Sequence, residues 1–362
     1  MWYLYYCWRK NYSSKRLDDF IQNNFTTEDG DKRSLKKVMR RFWLWRGVHH
    51  SDFHEMSLDK KSEKERRLFV PRWEEVDLYY QINNQQYINI LRNKWNCYKY
   101  FEQYYKREIV LLSKENVMEK HINDDVLDFL KQHNKFIIKP LRLQGGKGVR
   151  IIEANDKSPK ADNPLLEYLN LPEYSDGLVL EELIIQNERM ATFHPESVNT
   201  IRIMTINFGD TIETKWPVLR LGKRNSFMDS FDGGIIAAID EKKGTIIRAA
   251  DKQRNSYYQI HPDTQKILIG FQIPLWDELC ELVKKTASLC PECHILGWDM
   301  ALTNQGWVIV ECNYGAEIVA QWALNRGVRD EFEEIKKRLH AKKGNSYLHK
   351  TLEQYLAVPL NP

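Results

Sequence analysis

The clearest alternation of apolar and polar residues in the chain covers residues 297–313. Two runs with a period of two flank the tripeptide Asn-Gln-Gly at 304–306, whose glycine can take the positive φ of a tight loop. The pattern predicts a β-hairpin. If the loop consists of those three residues, Thr303 lies opposite Trp307, and this pairing sets the register of the two strands.

The predicted hairpin carries acidic residues on one face. The same register places Asp299 opposite Glu311. A period of two then puts both carboxylates and the amide of Asn313 on one face, with Trp298 and Val310 on the other. Oxygen ligands of this kind suit Mg²⁺, which often shares them with nucleotide phosphates, and burying two carboxylates without a cation would be costly. The hairpin therefore predicts a magnesium site, with an ordinary surface hairpin as the alternative.

Further apolar patterns predict a mixture of helices and strands. Apolar positions three to four residues apart indicate helices, and short apolar runs bounded by Pro or Gly indicate strands. The predicted helices cover residues 84–105, 124–133, 274–289 and 328–343. The predicted strands cover residues 136–140, 177–185, 197–206 and 215–222, the last two in an antiparallel sheet. The composition of residues 153–176, which are rich in Pro, Asn, Asp and Lys, predicts a loop or insertion.

A glycine-rich turn, Gly-Gly-Lys-Gly at 145–148, follows the predicted strand 136–140 and leads into another strand. Walker A loops and Rossmann turns both open a helix, so this placement argues against either one. A turn between two strands can still fold its backbone amides over phosphates, with Lys139 and Lys147 supplying positive charge. Glycine-rich hairpin tips are also common without any ligand.

Four of the charged residues in the predicted strands are candidate binding residues. Glu181 and Glu182 are part of a buried run, where they could hold a ribose hydroxyl or an amino group. Arg202 and Arg220 are each embedded among apolar residues of the predicted antiparallel sheet. An arginine in a strand is often a rim residue, but two of them near an acidic metal site suggest clamps on a phosphate or carboxylate.

Length, composition and charge restrict the class of protein. A chain of 362 residues, 42% of them hydrophobic, can bury one large core or two to three smaller ones. The net charge of +4 is uneven, since residues 1–72 hold 17 Lys and Arg against 10 Asp and Glu. Six scattered cysteines indicate reduced thiols. The aromatic first eight residues do not resemble a secretory signal and no apolar run is long enough to span a membrane, so we expect a cytoplasmic protein.

Two local features are compatible with more than one interpretation. Residues 35–48 mix bulky apolar and basic residues at helical spacing, so they either lie on an anionic membrane surface or pack on their own domain. The pentapeptide Cys-Pro-Glu-Cys-His at 290–294 has the spacing of a c-type haem attachment site. Haem attachment goes with export, and a zinc site would need a second ligand pair nearby. We therefore interpret the pentapeptide as a link between a helix and the strand that carries Asp299.

The order of the motifs resembles the ATP-grasp fold: a strand ending in Lys-Pro, a glycine-rich hairpin, a strand with Glu-Glu, a sheet with Asn-Thr-Ile-Arg, and a hairpin with Asp and Glu-x-Asn. The segments Ser-Val-Asn-Thr-Ile-Arg at 197–202 and Gly-Trp-Asp-Met-Ala-Leu-Thr at 297–303 are similar, more narrowly, to the sugar-transfer-associated ATP-grasp proteins of bacterial surface polysaccharide gene clusters. This similarity covers roughly residues 84–325. It implies an α+β fold in which two subdomains grip ATP, here with an N-terminal helical extension.

The resemblance also implies a division of the chain. The parts are a basic, aromatic-rich extension (1–83), the N-terminal helical part of the ATP-grasp unit (84–135), a small subdomain with a glycine-rich flap (136–185), a large subdomain with the metal site (186–327), and a C-terminal helix and tail (328–362).

The resemblance assigns nucleotide contacts to individual residues. Lys139 is similar to the lysine that holds the ATP phosphates, and Lys94 has the offset of an earlier phosphate-contacting lysine or is a solvated helix residue. Glu181 and Glu182 would lie at the hinge that binds adenine and ribose. The mobile flap over the triphosphate would consist of Gly145, Gly146, Lys147 and Gly148.

The resemblance further implies that Asp299, Glu311 and Asn313 hold Mg²⁺. Many members of the superfamily place an arginine two residues before the metal-binding Asp, where this chain has Gly297. Arg202 or Arg220 would then stabilise the transition state, and the sequence leaves open which of them does so.

The chemistry implied by the resemblance is ATP-dependent ligation. ATP-grasp enzymes typically phosphorylate a carboxylate to an acyl phosphate, which an amine, thiol or hydroxyl then attacks. With ATP and Mg²⁺ as cofactors, the partners would be an amine or amino acid and a uronic acid or glycan precursor of polysaccharide or capsule biosynthesis, with no nucleic acid. A kinase of sugar or polyol hydroxyls and a non-catalytic nucleotide-binding subunit are the alternatives. His194 and His261 are either proton acceptors for the amine or satisfied loop histidines.

Overall fold

The computed structural model describes residues 14–25, 29–115, 117, 123–153, 164–224, 226, 234–251 and 256–343. Its helices are α1 (Ser14–Asn24), α2 (Asp29–Arg46), α3 (His50–Glu55), α4 (Glu63–Arg67), α5 (Arg72–Ile82), α6 (Gln85–Arg92), α7 (Lys94–Tyr105), α8 (Asp124–Gln132), α9 (Pro164–Tyr168), α10 (Glu188–Ala191), α11 (Trp276–Ser288), α12 (Ala320–Leu324) and α13 (Arg329–Lys343). Short 3-10 helices cover Leu58–Lys60 and Pro172–Tyr174.

The described strands form two antiparallel sheets. They are β1 (Ile109–Leu112), β2 (Lys135–Pro140), β3 (Arg150–Glu153), β4 (Leu178–Glu182), β5 (Thr200–Asn207), β6 (Ile212–Leu221), β7 (Ile235–Ile239), β8 (Ile246–Asp251), β9 (Ile295–Thr303) and β10 (Gly306–Asn313). The small sheet has the order β1-β4-β2-β3, and the large sheet has the order β10-β9-β5-β6-β7-β8. The predicted antiparallel pairing of 197–206 with 215–222 is confirmed by β5 and β6.

Alternate residues of the large sheet face two separate cores, as the period of two along a strand requires. On the first face, Trp298 of β9 packs against Phe101 of α7, with ring centroids 5.3 Å apart in an edge-to-face arrangement. On the second face, Met204 of β5 and Ile236 of β7 belong to a core that also contains apolar residues of α1 to α3, α5, α12 and α13. The N-terminal helices therefore cover the second face of the large sheet.

The second face also carries the charged residues that the sequence singled out. Arg202 of β5 lies directly opposite Asp299 of β9, and Arg220 of β6 lies directly opposite Ile236 of β7. Directly paired residues project to the same side of a sheet. The three charged side chains thus share a face with the apolar residues that the N-terminal helices bury.

The stretch 35–48 falls within and just after α2. Met39 and Phe42 are buried in the core on the second face of the large sheet, so α2 packs on its own chain. Leu44 points away from that core and is 51% exposed. Within the described part of the chain, no helix has the length and apolar character needed to cross a membrane.

One predicted helix is divided and three strands are additional to the prediction. Residues 84–105 form α6 and α7, because Asn93 is extended and its side chain accepts a hydrogen bond from the backbone N–H of Asn96 at 3.1 Å, which caps α7. Lys94 is therefore the first residue of α7. The sequence patterns missed β1, β7 and β8, and β1 lies in the part 84–135 that was predicted to be helical. Residues 154–163 of the predicted insertion, and the first eight residues, lie outside the described chain.

The loop of the predicted hairpin is shorter than the sequence indicates. Thr303 pairs with Gly306, whose φ is +95°, and Trp307 pairs with Leu302. The loop between the strands therefore has two residues instead of three. The predicted pairing of Thr303 with Trp307 is wrong.

A β-bulge nevertheless restores the predicted pairing of the acidic residues. The register shifts between Ile309 and Glu311, so Val310 is an extra residue and Glu311 lies opposite Asp299. Val310 and Glu311 line the same cavity, and the predicted position of Val310 on the opposite face is therefore wrong. The bulge compensates for the shorter loop.

The pentapeptide 290–294 lies between α11 and β9, where it was predicted to be a link. The side chains of Cys290 and Cys293 are buried and are not joined in a disulfide, and the backbone N–H of Cys293 donates to the carbonyl of Cys290 at 2.9 Å. His294 Nδ1 lies 2.7 Å from the carbonyl oxygen of Asn207. The pentapeptide is a turn held by its own backbone and by one neighbouring strand.

Candidate active site

A cavity of about 940 Å³ is lined by residues of both sheets. Most of the predicted site residues line it: Lys94, Lys139, Gly145, Gly146, Glu181, Glu182, Arg202, Arg220, Asp299, Glu311 and Asn313. The predicted flap residues Lys147 and Gly148 are adjacent in sequence but do not line the cavity. The structure thus brings together residues that are separated by more than 200 positions in the chain.

Glu181 of β4 is the centre of a buried ion-pair network in the small sheet. Its Oε2 accepts hydrogen bonds from Lys139 Nζ at 2.8 Å and from Arg107 Nη2 at 2.9 Å. Burial opposes ionisation of this carboxyl, but the two cations outweigh it and lower the pKa of Glu181 to about 2. Arg107 also donates to the carbonyl of Ile309 in β10 at 2.6 Å, so the network connects the small sheet to the large sheet.

The neighbouring carboxylate has simpler surroundings. Glu182 accepts a hydrogen bond from the backbone N–H of Glu108 at 3.1 Å and is partly exposed in the cavity. Its own N–H donates to the carbonyl of Glu108 at 3.0 Å. Contacts of Glu181 and Glu182 with adenine or ribose stay a prediction.

Lys94 connects three parts of the cavity wall. As the first residue of α7, it donates its backbone N–H to the carbonyl of Leu141 at 2.9 Å and its Nζ to the carbonyl of Leu143 at 2.5 Å. The same Nζ lies 3.5 Å from Oε1 of Glu311. Lys94 is therefore a cation placed between the approach to the glycine-rich turn and the acidic strand β10.

The glycine-rich turn has a backbone conformation that other residues rarely adopt. Gly145, Gly146 and Gly148 have φ values of +67°, +72° and +72°. A Cβ atom added to Gly148 would lie 2.6 Å from Cγ of Pro140, so the turn can fold back over the end of β2 only with glycine there. Lys147 is exposed at the tip of this turn.

Two arginines from neighbouring strands hold Asp299. Arg202 donates through Nε and Nη2 to the two carboxylate oxygens, with 2.7 Å between Nη2 and Oδ2. Arg220 Nη1 lies 3.1 Å from the same Oδ2. Burial by itself would raise the pKa of Asp299, but the two guanidinium groups outweigh burial and lower that pKa. Asp299 is thus held as a buried carboxylate anion.

The predicted metal ligands are adjacent. Glu311 lies directly opposite Asp299, and Asn313 Nδ2 is 3.5 Å from Asp299 Oδ2. Among the described residues, no three His, Cys, Asp or Glu side chains converge as a metal site, so the set depends on the amide oxygen of Asn313 as its third donor. Two carboxylates and one amide oxygen are hard ligands that fit Mg²⁺, which uses few protein ligands and keeps waters or phosphates.

Gly297 lies in close contact with Ala316 and beside the side chain of Arg202. A Cβ atom added to Gly297 would lie 2.1 Å from Cβ of Ala316 and 3.7 Å from Cδ of Arg202. The glycine allows the loop 314–319 to pack directly on β9. The stem of Arg202 passes beside the position from which a side chain at residue 297 would project.

The structure adds site residues that the sequence did not indicate. Arg107 carries no motif that would have identified it. Arg72 of α5 lines the cavity and donates to the carbonyls of Gly315 at 2.6 Å and Ala316 at 3.2 Å. We call the part of the cavity lined by Arg72, Glu317 and Trp322 the α12 end.

The two candidate histidines lie outside the cavity lining. His194 is buried, with Nδ1 2.8 Å from Ser197 Oγ and Nε2 2.8 Å from the carbonyl of Arg224. His261 Nε2 lies 3.0 Å from the carbonyl of Gly222, and burial lowers the pKa of His261. Both have the partners expected of loop histidines.

Two sheets that line one cavity, a glycine-rich turn and an acidic hairpin are the features of an ATP-grasp protein. The sequence matches the family described as sugar-transfer associated ATP-grasp over residues 74–337, and the chain therefore belongs to that family. The resemblance and the α+β ATP-grasp fold predicted from the sequence are confirmed. The match begins within α5 and so includes the end of the segment 1–83. A comparison with curated proteins finds no match.

Solved structures of ATP-grasp enzymes show a distant likeness. D-alanine–D-alanine ligase from Bacillus anthracis complexed with ATP is 15% identical, with a TM-score of 0.40, over 70% of this chain and 69% of that chain. For D-alanine–D-alanine ligase from Helicobacter pylori the values are 14%, 0.39, 69% and 58%. For N5-carboxyaminoimidazole synthetase from Staphylococcus aureus complexed with ADP they are 12%, 0.38, 65% and 48%. The chain thus spans less than two thirds of the last two enzymes, and the likeness concerns the fold alone.

Proposed function

We propose that this protein is an ATP- and Mg²⁺-dependent ligase that joins a carboxylate to an amine. In the proposed reaction the carboxylate takes the γ-phosphoryl group of ATP to form an acyl phosphate, and the amine then displaces inorganic phosphate to give an amide. The observation that carries this proposal is the meeting of Arg202 and Arg220 at Asp299 within the cavity. Two guanidinium groups fit an anionic acceptor better than a neutral hydroxyl.

The nucleotide would lie against the small sheet. Lys139 and Lys94 would contact its phosphates, and the backbone amides of the turn 145–148 would close over them. Asp299, Glu311 and Asn313 would hold Mg²⁺, which would neutralise charge on the β- and γ-phosphates. Phosphoryl transfer depends mainly on positioning and charge neutralisation, so the chain needs no nucleophilic side chain of its own.

The two arginines would have different roles. Arg202 would stabilise the transferring phosphoryl group, because its stem runs beside Gly297, where many superfamily members carry an arginine. Arg220, on the next strand, would grip the acceptor carboxylate. Loss of one positioned electrostatic group commonly slows turnover by roughly 10²-fold to 10³-fold.

The proposed carboxylate substrate is a uronic acid or a glycan precursor that bears one, and the proposed amine is an amino acid or a simple primary amine. Two observations support this substrate class: the family description, sugar-transfer associated, and the two arginines that could bind an anion in the cavity. The proposed setting is polysaccharide or capsule biosynthesis in the cytoplasm, where ATP is available.

Hydroxylamine trapping tests the reaction class. With ATP, Mg²⁺, uronic acids as carboxylate probes and hydroxylamine in place of the amine, we expect a hydroxamate to accumulate together with ADP. Arg202→Gln should reduce this yield by roughly 10²-fold. Arg189→Gln, which changes an exposed arginine of α10 outside the cavity lining, should leave it unchanged. ADP formed together with a stable phosphate ester on the sugar would show a kinase and overturn the ligase proposal.

A further inference from the structure

Glu317 is a cavity carboxylate to which the proposed reaction has so far given no role. It lies four residues beyond Asn313, in the loop 314–319 that joins β10 to α12, and it lines the same cavity as Arg202 and Arg220. Across the described residues, no hydrogen bond or ion pair engages its side chain. A partly buried carboxylate of this kind is available to bind a cation from the cavity.

The loop that carries Glu317 is fixed on both sides of this residue. Before it, the carbonyls of Gly315 and Ala316 accept hydrogen bonds from Arg72 at 2.6 Å and 3.2 Å. After it, the backbone N–H of Ile318 donates to Glu75 Oε2 of α5 at 3.2 Å. The Glu317 side chain therefore projects from a held backbone, as positioning of a substrate requires.

Other carboxylates of the cavity are already engaged. Asp299 is bound by two arginines, Glu311 lies beside Lys94, and Glu181 is bound by Lys139 and Arg107. Glu182 accepts a backbone hydrogen bond near the small sheet, and Glu196 is exposed in the loop before β5. Glu317 is the carboxylate left at the α12 end.

The charge around Glu317 suits two substrates of opposite sign. Burial by itself lowers the pKa of Arg72, but the carboxylates of Glu75 and Glu317 more than offset this effect and raise it. Arg72 and Glu317 are therefore close enough to influence each other, and Arg220 lines the same cavity. An acceptor carboxylate can approach the arginines while an ammonium group approaches Glu317.

We infer that Glu317 binds the ammonium group of the incoming amine and accepts its proton, an inference that rests on the proposed ligase function. One proton passes from the ammonium nitrogen to the Glu317 carboxylate, and the freed lone pair attacks the acyl carbon of the acyl phosphate. The carbon–oxygen bond to phosphate breaks, and phosphate leaves with the electron pair. The second nitrogen proton passes to the leaving phosphate, which gives the amide and hydrogen phosphate, and Glu317 returns its proton to water.

The test compares two nucleophiles in Glu317→Gln. Primary amines are charged at neutral pH and need a carboxylate to bind and deprotonate them, whereas hydroxylamine is largely uncharged. With uronic acids as carboxylate probes and ethanolamine or L-alanine as amine probes, we expect kcat/KM for the amine to fall by roughly 10²-fold or more. Hydroxamate formation by the same variant should stay close to that of the wild type, which also shows that the variant is folded.

Matched variants sharpen the comparison. Glu196→Gln removes an exposed carboxylate from the same cavity lining and should change neither reaction. Equal losses of hydroxamate and amide in Glu317→Gln would overturn the assignment of Glu317 while leaving the ligase function intact. Unchanged amide formation in that variant would overturn it as well. Failure of the wild type to form any hydroxamate would instead refute the proposed function, and the role of Glu317 with it.

Discussion

Replacing Glu181 with glutamine should lower the free energy of unfolding, by an amount that can be estimated from the structure. Lys139 and Arg107 lower the pKa of Glu181 from its ordinary 4.5 to about 2, which corresponds to about 3 kcal/mol of interaction. The side chain is only 6% exposed, so solvent screens this interaction little. Glutamine keeps the shape but leaves two buried cations without a counter-charge, a loss of ~3–5 kcal/mol in comparable cases. We expect the free energy of unfolding to fall by about 3 kcal/mol at pH 7.

The pH dependence provides a second, independent check. The pKa of Glu181 is lower in the folded chain than in the unfolded chain, so its stabilisation is fully present above about pH 4.5 and is lost as the pH falls through about 2. The difference between wild type and Glu181→Gln should therefore be largest at neutral pH and should shrink progressively below about pH 4.5. Urea unfolding followed by tryptophan fluorescence between neutral pH and about pH 3 measures both quantities.

Glu182→Gln is the matched control. Its carboxylate accepts one backbone hydrogen bond at 3.1 Å, which the amide oxygen of glutamine can also accept, so the loss should be under ~1 kcal/mol. Equal losses in the two variants at pH 7 would refute the assignment of Glu181 as the ion-pair centre. A gap between wild type and Glu181→Gln that stays constant down to about pH 3 would refute the ionic origin of the effect.

Three further predictions concern the cavity. Glu311→Gln should fold normally yet reduce Mg²⁺-dependent ATP turnover by roughly 10²-fold or more, and near-normal turnover would exclude the metal assignment. The amides of residues 145–148 should exchange hydrogen rapidly without nucleotide and slowly with a non-hydrolysable ATP analogue; equally fast exchange in both states would contradict a flap. Gly297→Ala should push Ala316 and its loop away from β9, which raises the KM of the acceptor more than that of ATP in steady-state kinetics; equal effects on both would argue against this view of the loop.

The hairpin shows how far local sequence patterns reach. The period of two correctly placed Asp299 opposite Glu311, but through a three-residue loop that the structure replaces with a shorter loop and a bulge. The bulge is supported from outside the hairpin, because Arg107 donates to the carbonyl of Ile309 at its edge. A contact with a residue some 200 positions away does not change the local alternation of apolar and polar residues. The sequence could therefore predict that Asp299 lies opposite Glu311, but not the bulge that produces this pairing.

Local sequence patterns could not predict site residues that come from distant segments of the chain, for the same reason. Arg72 and the carbonyl of Gly315 are 243 residues apart, and their hydrogen bond forms only in the folded chain. The buried face of α5 has helical spacing, with Glu75, Leu78, Tyr79 and Ile82 inward, but its first member is a carboxylate. A buried carboxyl group interrupts the apolar pattern of the helix, and α5 therefore was not among the predicted helices.

The placement of α5 ties the N-terminal helices to the site. The face of the large sheet that carries Arg202, Arg220 and Asp299 is mostly apolar, and such a face must be covered. Helices α1 to α3 and α5 cover the apolar part together with α12 and α13, which leaves the charged part facing the cavity. Through Arg72 and Glu75, α5 also forms hydrogen bonds with the loop 314–319. The same helix therefore covers the sheet and supports the wall of the cavity. The family match starts at residue 74, within α5, and so includes Glu75. The end of the segment 1–83 thus holds the loop that carries Glu317, through the hydrogen bonds of Arg72 and Glu75.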